Sequence, residues 1–206
     1  MAGIEALVAA VAKHTAHVDI LFANAGATWG APFESYPEPA FAKVMDLNVK
    51  AVFFCVQKFA PLLRARATVA DTSRVIVTAS VAGLGVGALG PQATFAYSAS
   101  KAAAVHLARN LAVDLGPKHV LVNSICPGFF PTKMASGLLE MTGGLAKHAK
   151  NNPAGRLGHP EDIAGAVVYL ASRAGAHVNG TAIAIDGGSM WAKGGLLEAS
   201  DPPSKL

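Results

Sequence analysis

Two side chains in the stretch YSASK are placed to do chemistry together. Tyr97 and Lys101 stand four residues apart, and on a helix that spacing puts both on one face. A phenol with a pKa near ~10 is a poor proton donor or acceptor at neutral pH. An ammonium within about 5 Å favours the phenolate and is expected to move that pKa toward the working range. Ser80 ends the β-branched run RVIVTAS and could point a hydroxyl at the same spot. Such a trio suits the movement of a proton to or from an oxygen. By itself, however, Tyr-x-x-x-Lys also describes an ordinary pair on a helix surface.

Between Ser80 and Tyr97 runs GLGVGALG, in which Gly85, Gly87 and Gly90 fit G-x-G-x-x-G. A pyrophosphate cradle of that pattern needs the glycines to join a strand directly to a helix N-terminus. Here Pro91, Gln92, Ala93 and Thr94 intervene. The acid expected about twenty residues on, at the end of a second strand, is replaced by Asp114 inside the helical ARNLAVDLG. The loop fails both tests and reads as a flexible connection. No G-x-S-x-G surrounds Ser80 or Ser189, so serine-hydrolase chemistry is set aside.

The elements that must position these residues alternate along the chain. Helical patterns cover 3–16, 38–65, 96–116 and 160–172; apolar strands cover 18–23, 74–80, 120–128 and 182–186. Continuously apolar strands separated by helices imply an α/β fold with a parallel sheet covered on both faces. The 206 residues are 52% apolar and only 15% charged, which suits one well-buried domain over 1–206 with a frayed tail at 191–206. The region 132–155 reads as mobile.

Composition also narrows the partners. The net charge of +4 comes from singly scattered Lys and Arg, which suits an anionic ligand better than nucleic acid. No apolar run reaches the roughly 18 residues of a membrane helix. The opening helix lacks a basic leader, and Cys55 and Cys126 read as buried free thiols. Together these point to a cytoplasmic chain without nucleic-acid or membrane partners. The histidines show no metal-ligand spacing, so no metal is expected.

Seven short motifs then follow in order: NAG (24–26), NVK (48–50), TASVAG (78–83), YSASK (97–101), PGFFPT (127–132), RLGHPEDIA (156–164) and NGTAIAIDGG (179–188). In this order and spacing the chain resembles the short-chain dehydrogenase/reductase family, from about residue 3 to residue 190. The resemblance implies a Rossmann-like doubly wound sheet and hydride transfer between a secondary alcohol or ketone and NAD or NADP. Ser80, Tyr97, Lys101 and Asn48 would form the catalytic centre. In that scheme Tyr97 passes the proton, Ser80 stabilises the substrate oxygen, and Lys101 lowers the Tyr97 pKa and bonds the nicotinamide ribose. The Asn48 side chain would hold a relay water.

Asn24, Ala25 and Gly26 would lie beside the adenosine half of the cofactor. Pro127, Gly128, Phe130 and Thr132 would clasp the nicotinamide end. Asn24 also reads as a turn residue, Asn48 as a helix-interior amide and Thr132 as a cap. Asp186 and Gly187 would be structural. The long helices 38–65 and 96–116 would pair subunits into a homodimer or homotetramer. The Ser80–Tyr97 separation is longer than usual for the family, so the glycine loop reads as an insertion at the rim of the substrate pocket. With a lid over 133–152, that pocket suits a small hydrophobic ketone or alcohol.

The chain departs from the family pattern at its start. T-G-x-x-x-G-x-G and the elements around it are absent from the sequence. The reading is therefore of an N-terminally truncated member lacking the first three strands, with about four strands remaining. It implies an exposed edge at VDILFA and weakened dinucleotide binding. The alternative is a catalytically silent fragment acting as a binding or oligomerising subunit.

Overall fold

Two strands without a charged side chain on either face, apart from Arg74, fix the middle of the molecule: β2 (Ser73–Thr78) and β3 (Val120–Pro127). A computed structural model describes residues 1–135, 137 and 143–192. In it β1 (Ile20–Ala23) pairs with β2, β2 with β3, and β3 with β4 (Ala182–Ile185), all parallel, in the order β1-β2-β3-β4. Successive side chains of a strand point to opposite faces. Val75, Val77, Val120 and Val122 therefore meet one helical layer, while Ile76 and Ile125 meet the other.

The first layer holds α1 (Ala2–Ala12), α3 (Ala51–Arg64) and α4 (Phe95–Leu115). Val52, Val56, Phe59 and Leu63 of α3 recur at helical spacing and pack on the sheet valines. The buried face of α4 is a stripe of small residues, Ala96, Ser100, Ala104, Ala108 and Ala112. That stripe lets the helix backbone lie close to the sheet. On the opposite face α6 (Pro160–Ala171) packs Leu170, Ile163 and Val167 against Ile76 and Ile125.

The expected helix 38–65 consists of α2 (Glu38–Met45), a π-helical turn Asp46–Lys50, and α3. Other boundaries shift where side chains compete for backbone groups. α1 stops before residue 16, where Thr15 exchanges hydrogen bonds with the His17 backbone. β2 stops at Thr78, and Ser80 caps the 3₁₀ turn Val81–Gly83. Within the region read as a mobile lid, α5 (Gly144–Lys150) is helical, whereas residues 136 and 138–142 lie outside the described residues. Of the expected tail, Trp191 and Ala192 end α7 (Ser189–Ala192), and 193–206 lie outside the described residues. Among the described residues β1 is an edge strand, with Ile20 47% and Phe22 38% exposed.

Two asparagines clamp the β3 side of the sheet. Asn123, 1% exposed, donates to the Val178 carbonyl and accepts from the Thr181 N–H. Asn179 accepts from Val122 N–H and donates to the Ala112 carbonyl, tying the sheet to α4. Asn123→Ala leaves two part-buried backbone groups without their partner, with an expected loss of about 2–4 kcal/mol. Urea unfolding measures it. A loss under ~1 kcal/mol would show that water replaces the amide.

Candidate active site

Parallel strands bring their C-terminal ends to one edge of the sheet, where open α/β folds bind ligands. Here β1 delivers Asn24, β2 delivers Thr78 and Ser80, and β3 delivers Pro127. The first two turns of α4 bring Tyr97 and Lys101 to the same edge. Three strand ends and one helix thus converge, although the residues span more than a hundred positions.

Lys101 is the most constrained group. It is 4% exposed, its Nζ donates to the Thr78 carbonyl at 2.7 Å, and it lies 5.6 Å from the Tyr97 ring centroid. Burial pulls its pKa from 10.5 down to about 8, and the neighbouring Cys126 opposes this weakly. Gly83 makes the approach feasible. A Cβ there would stand 2.5 Å from the Lys101 carbonyl carbon and 2.6 Å from the Ala102 nitrogen, so only glycine lets the 3₁₀ turn after Ser80 press against α4.

Tyr97 is half-buried, and burial raises its pKa above 10.0, while the neighbouring Ser80 hydroxyl works in the opposite direction. The ammonium of Lys101 is not among the causes of that shift. It hydrogen-bonds to the Thr78 carbonyl and lies 5.6 Å from the phenol ring centroid. Ser80 is 7% exposed, and its hydroxyl donates to Pro127 O at 3.4 Å while accepting from Ala82 N–H. Cys126 is fully buried and pushed up to about 11 by burial, so it remains a thiol.

Asn48 sits in the π-helical turn, 1% exposed. Its Oδ1 accepts from Ala27 N–H, and its Nδ2 donates to the Ala27 carbonyl and to Ser100 Oγ. Both amide hydrogens are thus engaged. The relay water implied for this side chain is confined to the remaining Oδ1 lone pair. Gly26 keeps the adjoining space open: a Cβ there would lie 3.2 Å from Asn48 Oδ1 and 3.4 Å from Lys101 Nζ.

Asn24 and Ala25 are exposed at the β1 end, and the Asn24 Oδ1 accepts from the Thr78 hydroxyl. Gly128 is required by a close approach, since a Cβ would stand 2.6 Å from Asp186 Cβ. The Phe130 ring covers Gly158. Thr132 is exposed and caps the following turn through Ala135 N–H. Asp186 caps α7 by accepting from Gly188 and Met190 N–H groups and from the Ser189 hydroxyl.

The glycine loop passes through turns at Val81–Gly83 and Gly90–Gln92 before α4. Gly87 lies directly on Ser98, and Gly85 faces Met190. Leu84, Val86, Leu89 and Trp191 are exposed around it. Sequence reasoning missed Thr78 and Ser100. The sign for Ser100 was available, since a serine within an alanine stripe at four-residue spacing is bound to be buried.

Comparison with known proteins follows the same lines. The family described as enoyl-(acyl carrier protein) reductase matches residues 1–190. The rhamnolipids biosynthesis 3-oxoacyl-[acyl-carrier-protein] reductase of Pseudomonas aeruginosa is 44% identical, over 91% of this chain and 72% of the relative. The 5-keto-D-gluconate 5-reductase of Escherichia coli is 34% identical, over 92% of this chain and 71% of the relative. Among solved structures, the Pseudomonas aeruginosa RhlG/NADP active-site complex superposes with a TM-score of 0.84 at 43% identity, covering 92% of this chain and 73% of that one. Levodione reductase superposes at 0.81 with 31% identity, covering 93% and 74%.

The buried ammonium has a consequence for stability. Because its pKa is lowered in the fold, Lys101 binds its proton less readily there than in the unfolded chain. Below about pH 8 the fold carries the full cost of a buried cation, and stability rises as pH climbs from about 8 toward 10.5. Lys101→Met keeps the apolar stem and removes the charge. The expected result is a Tm higher by about 2–8 °C at pH 7, with the gain shrinking above pH ~9. Calorimetry at both pH values checks this, and a lower Tm at pH 7 would refute the assigned burial cost.

Proposed function

The chain belongs to the short-chain dehydrogenase/reductase family of oxidoreductases, and on that premise we propose that it interconverts a secondary alcohol and a ketone with NAD or NADP, using Tyr97 as acid and base. The observation that carries this reading is the convergence of Ser80, Tyr97 and Lys101 at the C-terminal edge of the sheet, with Lys101 almost entirely buried.

The residues present fit the nicotinamide and its ribose. Gly26 leaves space between an amide oxygen and an ammonium, Lys101 offers donors suited to a ribose diol, and Asn24 offers an amide at the β1 end. In this reading Pro127, Gly128, Phe130 and Thr132 would lie at the nicotinamide end. When bound, NAD(P)H supplies the hydride. The protein's own part is to hold the substrate oxygen and handle the proton. Ser80 donates to the oxygen as negative charge develops on it. Tyr97, kept as a neutral phenol by burial, gives the proton to that oxygen in reduction. Lys101 then offsets the phenolate charge that remains.

For substrate, the reading is a hydrophobic ketone such as a β-ketoacyl thioester. Exposed Leu84, Val86, Leu89 and Trp191 around the glycine loop support it, as does the 3-oxoacyl reductase relative. The helices α3 and α4 are the proposed subunit-pairing surface of a homodimer or homotetramer, supported by Val113 of α4 standing 78% exposed.

The test is NADPH oxidation with an aliphatic β-ketothioester. Tyr97→Phe is expected to lower kcat by about 10²–10⁴-fold. Reduction should be level from about pH 6 to 8 and fall above, since the phenol is already protonated and Lys101 begins to lose its charge near 8. Alcohol oxidation, which needs the phenolate, should rise with pH over the same range. Absence of both turnover and a cofactor fluorescence change with NADH as well as with NADPH in the wild-type chain would overturn the reading.

A further inference from the structure

Ser100 is fully buried in the second turn of α4, between the two residues of the proton-handling pair. Its hydroxyl donates to the Tyr97 carbonyl at 2.7 Å and accepts from Asn48 Nδ2 at 2.9 Å. Asn48 in turn holds both backbone groups of Ala27 at 2.8 Å, one residue beyond the NAG stretch at the end of β1. The direction of every bond is forced. The hydroxyl hydrogen goes to Tyr97, so its lone pair must receive the amide hydrogen, and that orients Asn48 so that Oδ1 meets Ala27 N–H.

We propose that Ser100 is a positioning residue: the Ala27–Asn48–Ser100–Tyr97 chain locks the loop after β1, on the cofactor side, to the helix turn that carries Tyr97 and Lys101. It does not touch the reacting atoms and acts through its neighbours. Serine suits the position because it is small enough for the close helix–sheet contact of the Ala96–Ala112 stripe and can both donate and accept there. Alanine would keep the packing and remove the lock. Asn48 Nδ2 would then have a buried hydrogen without a partner, and its grip on Ala27 would loosen. The inference rests on the oxidoreductase reading for its kinetic part only.

The experiment compares wild type, Ser100→Ala and Ser100→Cys by amide hydrogen exchange and by steady-state ketone reduction. In Ser100→Ala the Ala27 amide should exchange about tenfold faster or more, while the β3 amides of 120–126 keep their protection. The kcat should fall by about tenfold with KM for the ketone unchanged. Cysteine fills similar space with a weak donor and acceptor, so it should give intermediate values, and it stands in for alanine if that variant does not fold. Unchanged Ala27 exchange, equal acceleration throughout β3, or an unchanged kcat overturns the proposal. If the wild type turns over no ketone, the functional reading falls, while the exchange measurement still decides whether the lock exists.

Discussion

The structure is organised around a cation that has almost no water. Lys101 keeps its ammonium at the end of a parallel sheet, bonded to the Thr78 carbonyl and pressed from behind by Gly83. A group so placed is costly to stability and useful for chemistry, the usual tension at a functional site. Desolvation weakens its hold on a proton and strengthens its field on whatever negative charge appears beside it. The stability of the rest, from the Val and Leu layers of α3 to the asparagine clamps on β3, offsets that cost.

The same desolvation acts on Tyr97 in the opposite sense. Burial disfavours the charged form of each group, so the phenol holds its proton more tightly and the ammonium less tightly. Exclusion of water thus disfavours charge on both members of the pair. Positions are set by groups that do no chemistry themselves. The π-helical turn brings Asn48 to Ala27 and Ser100, and the 3₁₀ turn after Ser80 brings Gly83 against α4. The glycine loop packs on Ser98 and faces Met190. It joins the first turn of α4 to the C-terminal segment.

Much of the architecture was legible because burial leaves a pattern in the chain. Four apolar runs and their intervening helices appear where periodicity placed them, since strands covered on both faces must be apolar throughout. Boundaries were less legible where Thr15 and Ser80 compete for backbone groups. Tyr97 and Lys101 could be paired because an i,i+4 spacing is a local property of a helix. The direction of the Tyr97 shift could not be read, because it depends on how much water the surrounding layers exclude. Thr78 and Ser100 passed unnoticed for a related reason. Their significance lies in partners at Asn24, Lys101 and Asn48, up to 54 positions away.

The sequence by itself determined the α/β class, the order of strands and helices, and the residue types that can handle a proton. These follow from hydrophobic periodicity and from local helical geometry, which operate over a few residues. Only the tertiary structure decided which way the tyrosine and lysine titrate, what the Asn48 amide is bonded to, and that Gly26 and Gly83 are the glycines that shape the site. Those outcomes depend on desolvation and on close approach between segments distant in the chain, and both arise only when the sheet and α4 come together.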